Sequence, residues 1–231
     1  MHALRRNVDI KILLFNNKIY GLTKGQFSPT SEIGTVTKSS PGGTVAPPFS
    51  APFLALGAQA TFVARSIDTD AQHLQKMITR MAQHKGTALL EIFQNCPIFN
   101  DGAFEAVKDR ARKSDEVVEM EQGQPLVYGA KRDRVIKLDT RSQTLYSTQL
   151  GETDGGIDLV HDEQAQSPVI ASLLAQHPRP GMPIPIGVFR AVEGPVFDQE
   201  TRRQQEAAIA TKGPGTIQEL LEGAGDRWKL E

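Results

Sequence analysis

"TFVARSIDTDAQHLQKMITRMAQHKGTALLEIF", residues 61–93, decides the fold. It opens on a β-prone run, TFVARS, and closes on another, ALLEIF. Between them Leu74, Met77, Ile78 and Met81 recur at i, i+3, i+4 and i+7, the apolar stripe of an amphipathic helix over residues 69–85. Asp68 is the expected N-cap and Gly86 the expected stop. Strand, helix and strand in that order predict a crossover between parallel strands. The fold class is therefore α/β, with a mostly parallel sheet and flanking helices.

Upstream, residues 10–15 (IKILLF) form a nearly continuous apolar run. Such a run predicts a parallel strand covered on both faces. Residues 2–7 read as the tail of a helix, and 53–60 as a short helix. Residues 17–52 are broken by ten glycines and prolines. A loop that long is functional or disordered as a rule. Downstream, NCPIFND (95–101) is a loop at a strand's carboxyl end, followed by a helix to Arg112. From residue 119 the pattern changes. PLVYG, VIKLD and TLYST, separated by polar turns, predict hairpins. A helix over 167–177, a strand at PIGVFRA (185–191) and a polar helix over 199–212 complete the chain. That last helix has few apolar anchors and is expected to lie across a partner. The expected division is residues 1–118 and 119–231, the second part making a subunit contact.

Composition narrows the function. A net charge of -1 gives no support to nucleic acid or an anionic membrane as partner. No stretch of the chain is apolar for long enough to span a bilayer, and the apolar run near Met1 is too short and interrupted for a signal peptide. The single cysteine rules out an intrachain disulfide framework and suits the cytoplasm.

Ligands of open α/β sheets bind at the carboxyl ends of strands. Two such ends carry unusual residues: Asn16-Asn17 and Cys96. An asparagine side-chain oxygen and a backbone carbonyl two residues later are hard, neutral ligands of the kind magnesium accepts beside phosphate and water. Asn17 and Ile19 have that spacing. The plainer alternative is that the asparagines begin a turn. Cys96 reads by default as a small buried hydrophobe, a reading weakened by Pro97, which ends the strand, and by Asn95, Asn100 and Asp101, which make the segment a polar loop. Lys24 is either a solvated cation or an anion contact. VHDE (160–163) has no second histidine at ligand spacing and reads as structural.

FNNKIYGLTKGQFSPTS (15–31) and EIFQNCPIFNDGAF (91–104) resemble the beta subunits of 2-oxoacid:ferredoxin oxidoreductases, the 2-oxoglutarate type in particular. VHDE, PIPIGVFRAVEGPVFDQ and LLEGAGDRWKLE resemble the C-terminal region of the same subunits. The resemblance implies a thiamine diphosphate-binding fold, with Mg²⁺ and a 4Fe-4S cluster. It also implies oxidative decarboxylation of 2-oxoglutarate, with coenzyme A, to succinyl-CoA and CO₂, electrons passing to ferredoxin, alongside an alpha subunit. It places Asn17 as the side-chain ligand of Mg²⁺ and Ile19 as the carbonyl ligand. Tyr20, Gly21, Leu22, Thr23, Gly25 and Gln26 match the segment beside the cofactor. Leu22 and Lys24 match substrate contacts, a lysine suiting a distal carboxylate. Cys96 matches one cluster ligand. No catalytic acid or base is identified.

The resemblance also implies a Gly-Asp-Gly segment and three further cysteines, two of them in C-x-x-C, ahead of the asparagine pair. These 231 residues contain neither. The expectation is a C-terminal portion of such a subunit, with half of the Mg²⁺ shell, one cluster thiolate, inactivity alone and an exposed edge on the first strand. The alternatives are the same chemistry on pyruvate or a branched 2-oxoacid, or a non-catalytic fragment that docks on the alpha subunit.

Overall fold

The computed structural model describes residues 1–109, 111–176 and 181–223. In chain order, α1 (His2–Arg6) leads to β1 (Lys11–Asn16), and a small antiparallel hairpin follows, β2 (Ile19–Tyr20) with β3 (Gln26–Phe27). Then come α2 (Ala51–Gly57), β4 (Phe62–Ile67), α3 (Ala71–Gln83) and β5 (Ala88–Phe93). Two one-turn helices, α4 (Glu105–Lys108) and α5 (Lys113–Glu116), precede β6 (Val117–Met120). Next are β7 (Val127–Tyr128), β8 (Arg134–Asp139), β9 (Thr144–Gln149) and β10 (Ile157–Asp158). The described chain ends with α6 (Val169–Ala175), β11 (Ile184–Ala191), α7 (Phe197–Lys212) and α8 (Ile217–Gly223).

Among the described residues, five strands form the central sheet in the order β1-β5-β4-β11-β6. β1 with β5, β5 with β4 and β11 with β6 are parallel; β11 runs antiparallel to β4. The expected strand–helix–strand unit is therefore present, and the sheet is mostly parallel. β7 to β10 make a separate antiparallel sheet, the predicted hairpins. The expected boundary at 118/119 falls inside β6. β11 passes close to β6: Gly187 has φ 110°, and a Cβ there would lie 2.8 Å from the Met120 carbonyl oxygen. Glycine is required at that crossing on both counts.

Each face of the sheet is covered by its own cluster. Met77 and Met81 of α3 pack on Phe62, Ala64, Leu90 and Ile92. Leu56 of α2 and Leu174 of α6 pack with Val63, Leu89 and Phe189 on the other face. The α3 stripe behaves as the periodicity predicts, except that Ile78 at its rim stays partly exposed. The cap moves: Asp70, not Asp68, accepts from the His73 backbone N–H at 3.2 Å, while Asp68 pairs with Lys108. The helix expected up to Arg112 is instead the two short pieces α4 and α5.

β1 pairs with β5 alone among the described strands and so is the expected edge, but it is not covered on both faces as the apolar run IKILLF predicts. Leu13 and Phe15 lie on the α3 side but beyond its cover, 41 % and 57 % exposed, so that face of β1 is not buried. Ile12 and Leu14 do pack into the core. No described helix is long and apolar enough to cross a membrane. The C-terminal motif resembling the family's ending lies partly outside the described residues, from 224 on.

Candidate functional site

β1, β5 and β4 end side by side: Asn16 is in register with Phe93, and Phe93 with Ile67. The chain leaving β1 turns at once. Asn16 Oδ1 accepts from the Lys18 N–H at 3.1 Å, and Asn17 Oδ1 from the Ile19 N–H at 3.3 Å. These are successive Asx turns. They support Lys18 in the left-handed region, at φ 56°. The plain-turn reading of the asparagines is thus correct. It does not exclude a ligand role, because among the described residues the half-buried Asn17 amide oxygen accepts only that one long hydrogen bond.

The β2–β3 hairpin encloses a tight loop. The Gly25 and Lys24 N–H groups donate to the carbonyls of Tyr20 and Gly21 at 3.0 Å, and Thr23 Oγ1 donates to the Tyr20 carbonyl at 3.3 Å. Ile19 is buried at the hairpin base. Tyr20, Thr23, Lys24 and Gln26 are exposed, and Leu22 at the tip is 97 % exposed. Lys24, like Lys18, is left-handed, at φ 65°. The loop therefore holds its lysine outward in one fixed backbone geometry.

The segment leaving β5 leans on this loop. Asn100 closes its own turn onto Cys96 and donates from Nδ2 to the Asn17 carbonyl at 2.9 Å. A Cβ on Gly25, whose φ is 94°, would meet the Phe99 ring at 3.0 Å, and one on Gly21 would lie 4.0 Å from Cys96 Sγ. Two strand ends thus meet through residues 83 apart in sequence, and the half-buried Cys96 stands beside the Asn17 loop. Every site residue named from the sequence lies on one of these two segments.

Beneath them runs a buried polar chain that sequence reading missed. Asn16 Nδ2 donates to Glu91 Oε1 at 2.8 Å, and Arg65 Nε donates to Glu91 Oε2 at 2.8 Å. Arg65 also donates to the Pro185 carbonyl and lies over the rings of Phe93 and Phe189, at 5.0 and 5.1 Å. Thr30 Oγ1 donates to Asn16 Oδ1 at 2.8 Å. The signal was available: Arg65 and Glu91 are charges inside the apolar runs TFVARS and ALLEIF.

VHDE is structural, as expected. His161 Nε2 donates to the Val188 carbonyl at 2.7 Å, and burial holds that imidazole below the usual histidine range. Glu163 is paired by Arg80 at 2.9 Å, and Asp162 accepts from Gln122 at 3.0 Å.

The donor set fits magnesium in part. Among the described residues no three His, Cys, Asp or Glu side chains gather into a metal-holding group. What the loop offers is neutral oxygen, which magnesium accepts when diphosphate, water or a carboxylate fills the other positions. An iron–sulfur cluster needs several thiolates. Cys96 is the chain's one cysteine, so these residues alone do not fit a cluster.

Residues 1–92 match the family model described as thiamine pyrophosphate enzyme, C-terminal TPP binding domain. A curated relative, 2-oxoglutarate oxidoreductase subunit KorB of Mycobacterium tuberculosis, is 42% identical over 237 residues, covering 100% of this chain and 62% of the relative. The 2-oxoacid:ferredoxin oxidoreductase subunit beta of Saccharolobus solfataricus is 43% identical over 99 residues, 43% of this chain and 32% of that one. Among solved structures, the 2-oxoglutarate:ferredoxin oxidoreductase of Magnetococcus marinus, with 2-oxoglutarate, coenzyme A and succinyl-CoA bound, matches with a TM-score of 0.67. That match has 24% identity and covers 97% of this chain and 61% of the other, a likeness of fold. The chain thus spans less than two thirds of the length of each.

Proposed function

The chain is a homologue, along its whole length, of a 2-oxoglutarate oxidoreductase subunit KorB and, over part of it, of 2-oxoacid:ferredoxin oxidoreductase beta subunits, and on that premise we propose that it serves the oxidative decarboxylation of 2-oxoglutarate. Coenzyme A takes up the acyl group as succinyl-CoA, CO₂ leaves, and the electrons pass through a 4Fe-4S cluster to ferredoxin. An alpha subunit completes the enzyme, which works in the cytoplasm. The observation that carries this reading is the meeting of the Asn17 loop with the Cys96 loop, joined by the Asn100–Asn17 hydrogen bond.

In this reading Asn17 Oδ1 and the Ile19 carbonyl are the chain's two ligands to Mg²⁺, and residues 20–26 line the thiamine diphosphate. That cofactor, when bound, supplies the electron sink that decarboxylation of a 2-oxoacid requires. Cys96 contributes one thiolate to the cluster; the other thiolates come from outside these 231 residues. Residues 119–231 make the subunit contact. The polar α7, which has no buried residue, and the exposed Ile217, Leu220 and Leu221 of α8 support that assignment.

Lys24 and Leu22 contact the substrate. An ammonium placed opposite the distal carboxylate favours a dianion over a monoanion. In the enzyme isolated with its partner, Lys24→Met is expected to lower kcat/KM for 2-oxoglutarate by about 10- to 100-fold, the worth of one charge-assisted hydrogen bond. Turnover of pyruvate, which has no distal carboxylate, stays as it was. Equal losses on both substrates would remove Lys24 from substrate recognition.

A further inference from the structure

The buried chain under the loop has a direction. Glu91 is 2 % exposed, and its two oxygens are both taken, one by Arg65 and one by Asn16. As a carboxylate it only accepts. The Asn16 side chain must therefore turn its NH₂ toward Glu91 and its oxygen away. That oxygen then faces the two donors on its other side, the Lys18 N–H and Thr30 Oγ1. The Lys18 bond closes the turn that contains Asn17. We infer that Glu91, held by Arg65, is a positioning residue for the cofactor loop: it fixes which way the Asn16 amide faces, and so how Asn17 is presented. The inference rests on the function proposed above, with Asn17 as a ligand to Mg²⁺.

Donor and acceptor matching makes it testable. In Glu91→Gln the new side chain keeps its oxygen toward the charged Arg65 and turns its NH₂ toward Asn16. Asn16 must then flip, its own NH₂ meets the Lys18 N–H, and the turn loses its acceptor. Adding Asn16→Asp restores every match, because a carboxylate accepts from the new amide, from Lys18 and from Thr30 alike. It also returns one negative charge to the neighbourhood of Arg65.

The experiment is calorimetric titration of thiamine diphosphate, at fixed Mg²⁺, into the enzyme isolated with its partner subunit, with the melting temperature of each variant recorded. Glu91→Gln is expected to weaken binding by about 10- to 100-fold, as loss of an outer support for a metal ligand does. Glu91→Gln with Asn16→Asp is expected to recover most of that loss. A lower melting temperature with unchanged affinity in Glu91→Gln makes Glu91 merely structural and overturns the inference. So does a double variant that melts like the wild type yet does not regain affinity. If Glu91→Gln does not fold, the double variant decides the matter by whether it binds. Failure of the wild-type enzyme itself to bind thiamine diphosphate overturns the proposed function instead.

Discussion

Replacing Arg65 with alanine is expected to lower the free energy of unfolding by about 3–5 kcal/mol. Arg65 and Glu91 are neighbours on parallel strands β4 and β5, in register with one another. Their side chains are 3 % and 2 % exposed and 2.8 Å apart. Removing the guanidinium leaves a carboxylate in the core with only the Asn16 amide to satisfy it, and takes a cation from between the rings of Phe93 and Phe189. A domain of ordinary stability has about 5–15 kcal/mol in total, so the loss is a large share of it. The pair itself is worth far less than its breakage costs, because both ions were desolvated to form it. Arg65→Met together with Glu91→Leu is therefore expected to be much more stable than Arg65→Ala. Urea unfolding at unchanged m-value measures both. Equal losses in the two variants would mean that packing, not the stranded charge, sets the cost.

Asn17→Ala is expected to do the opposite: leave stability alone and abolish cofactor binding. Its side chain is half-buried, and the bond it accepts, from the Ile19 N–H, is long at 3.3 Å. One long hydrogen bond of that kind contributes at the low end of the usual net range, about 0.5 kcal/mol. A ligand to the metal is a different matter. Loss of an outer support alone costs about 10- to 100-fold in affinity, and loss of the ligand oxygen is expected to cost at least the upper figure. Titration of thiamine diphosphate with Mg²⁺ reads the loss directly, and a urea curve on the same variant reads the stability. Wild-type affinity in Asn17→Ala would remove it from the ligand set. The contrast with Asn16, one residue earlier, buried and bonded at both ends of its amide, separates the two asparagines that the sequence presents as a pair.

What was legible in the sequence follows from how local each signal is. α3 was readable because its burial repeats with a local period, and β4 and β5 because each is a short run buried throughout. Asp68 and Asp70 are equivalent by type and position, and only the reach to the His73 N–H selects Asp70. The exposure of Leu13 and Phe15 was not readable, because IKILLF looks the same in the middle of a sheet and at its edge. The place of β11 between β4 and β6 depends on contacts between segments far apart in the chain and has no local trace beyond Gly187. At the site, both strand ends were legible but not their meeting, which rests on Asn100 and on Phe99 against Gly25. Arg65 and Glu91 stood in plain view inside two apolar runs. Charges there are informative because a buried ion persists only when it is paired.

The most direct measurement is made on the enzyme isolated from its own cells with whatever partner accompanies it. Ferredoxin reduction is followed with 2-oxoglutarate and coenzyme A supplied together, each alone, and with pyruvate in place of 2-oxoglutarate. The expected result is reduction that requires both 2-oxoglutarate and coenzyme A, with succinyl-CoA and CO₂ formed and pyruvate a poor substitute. No reduction of ferredoxin with any 2-oxoacid, from a complex that contains this chain, would contradict the account.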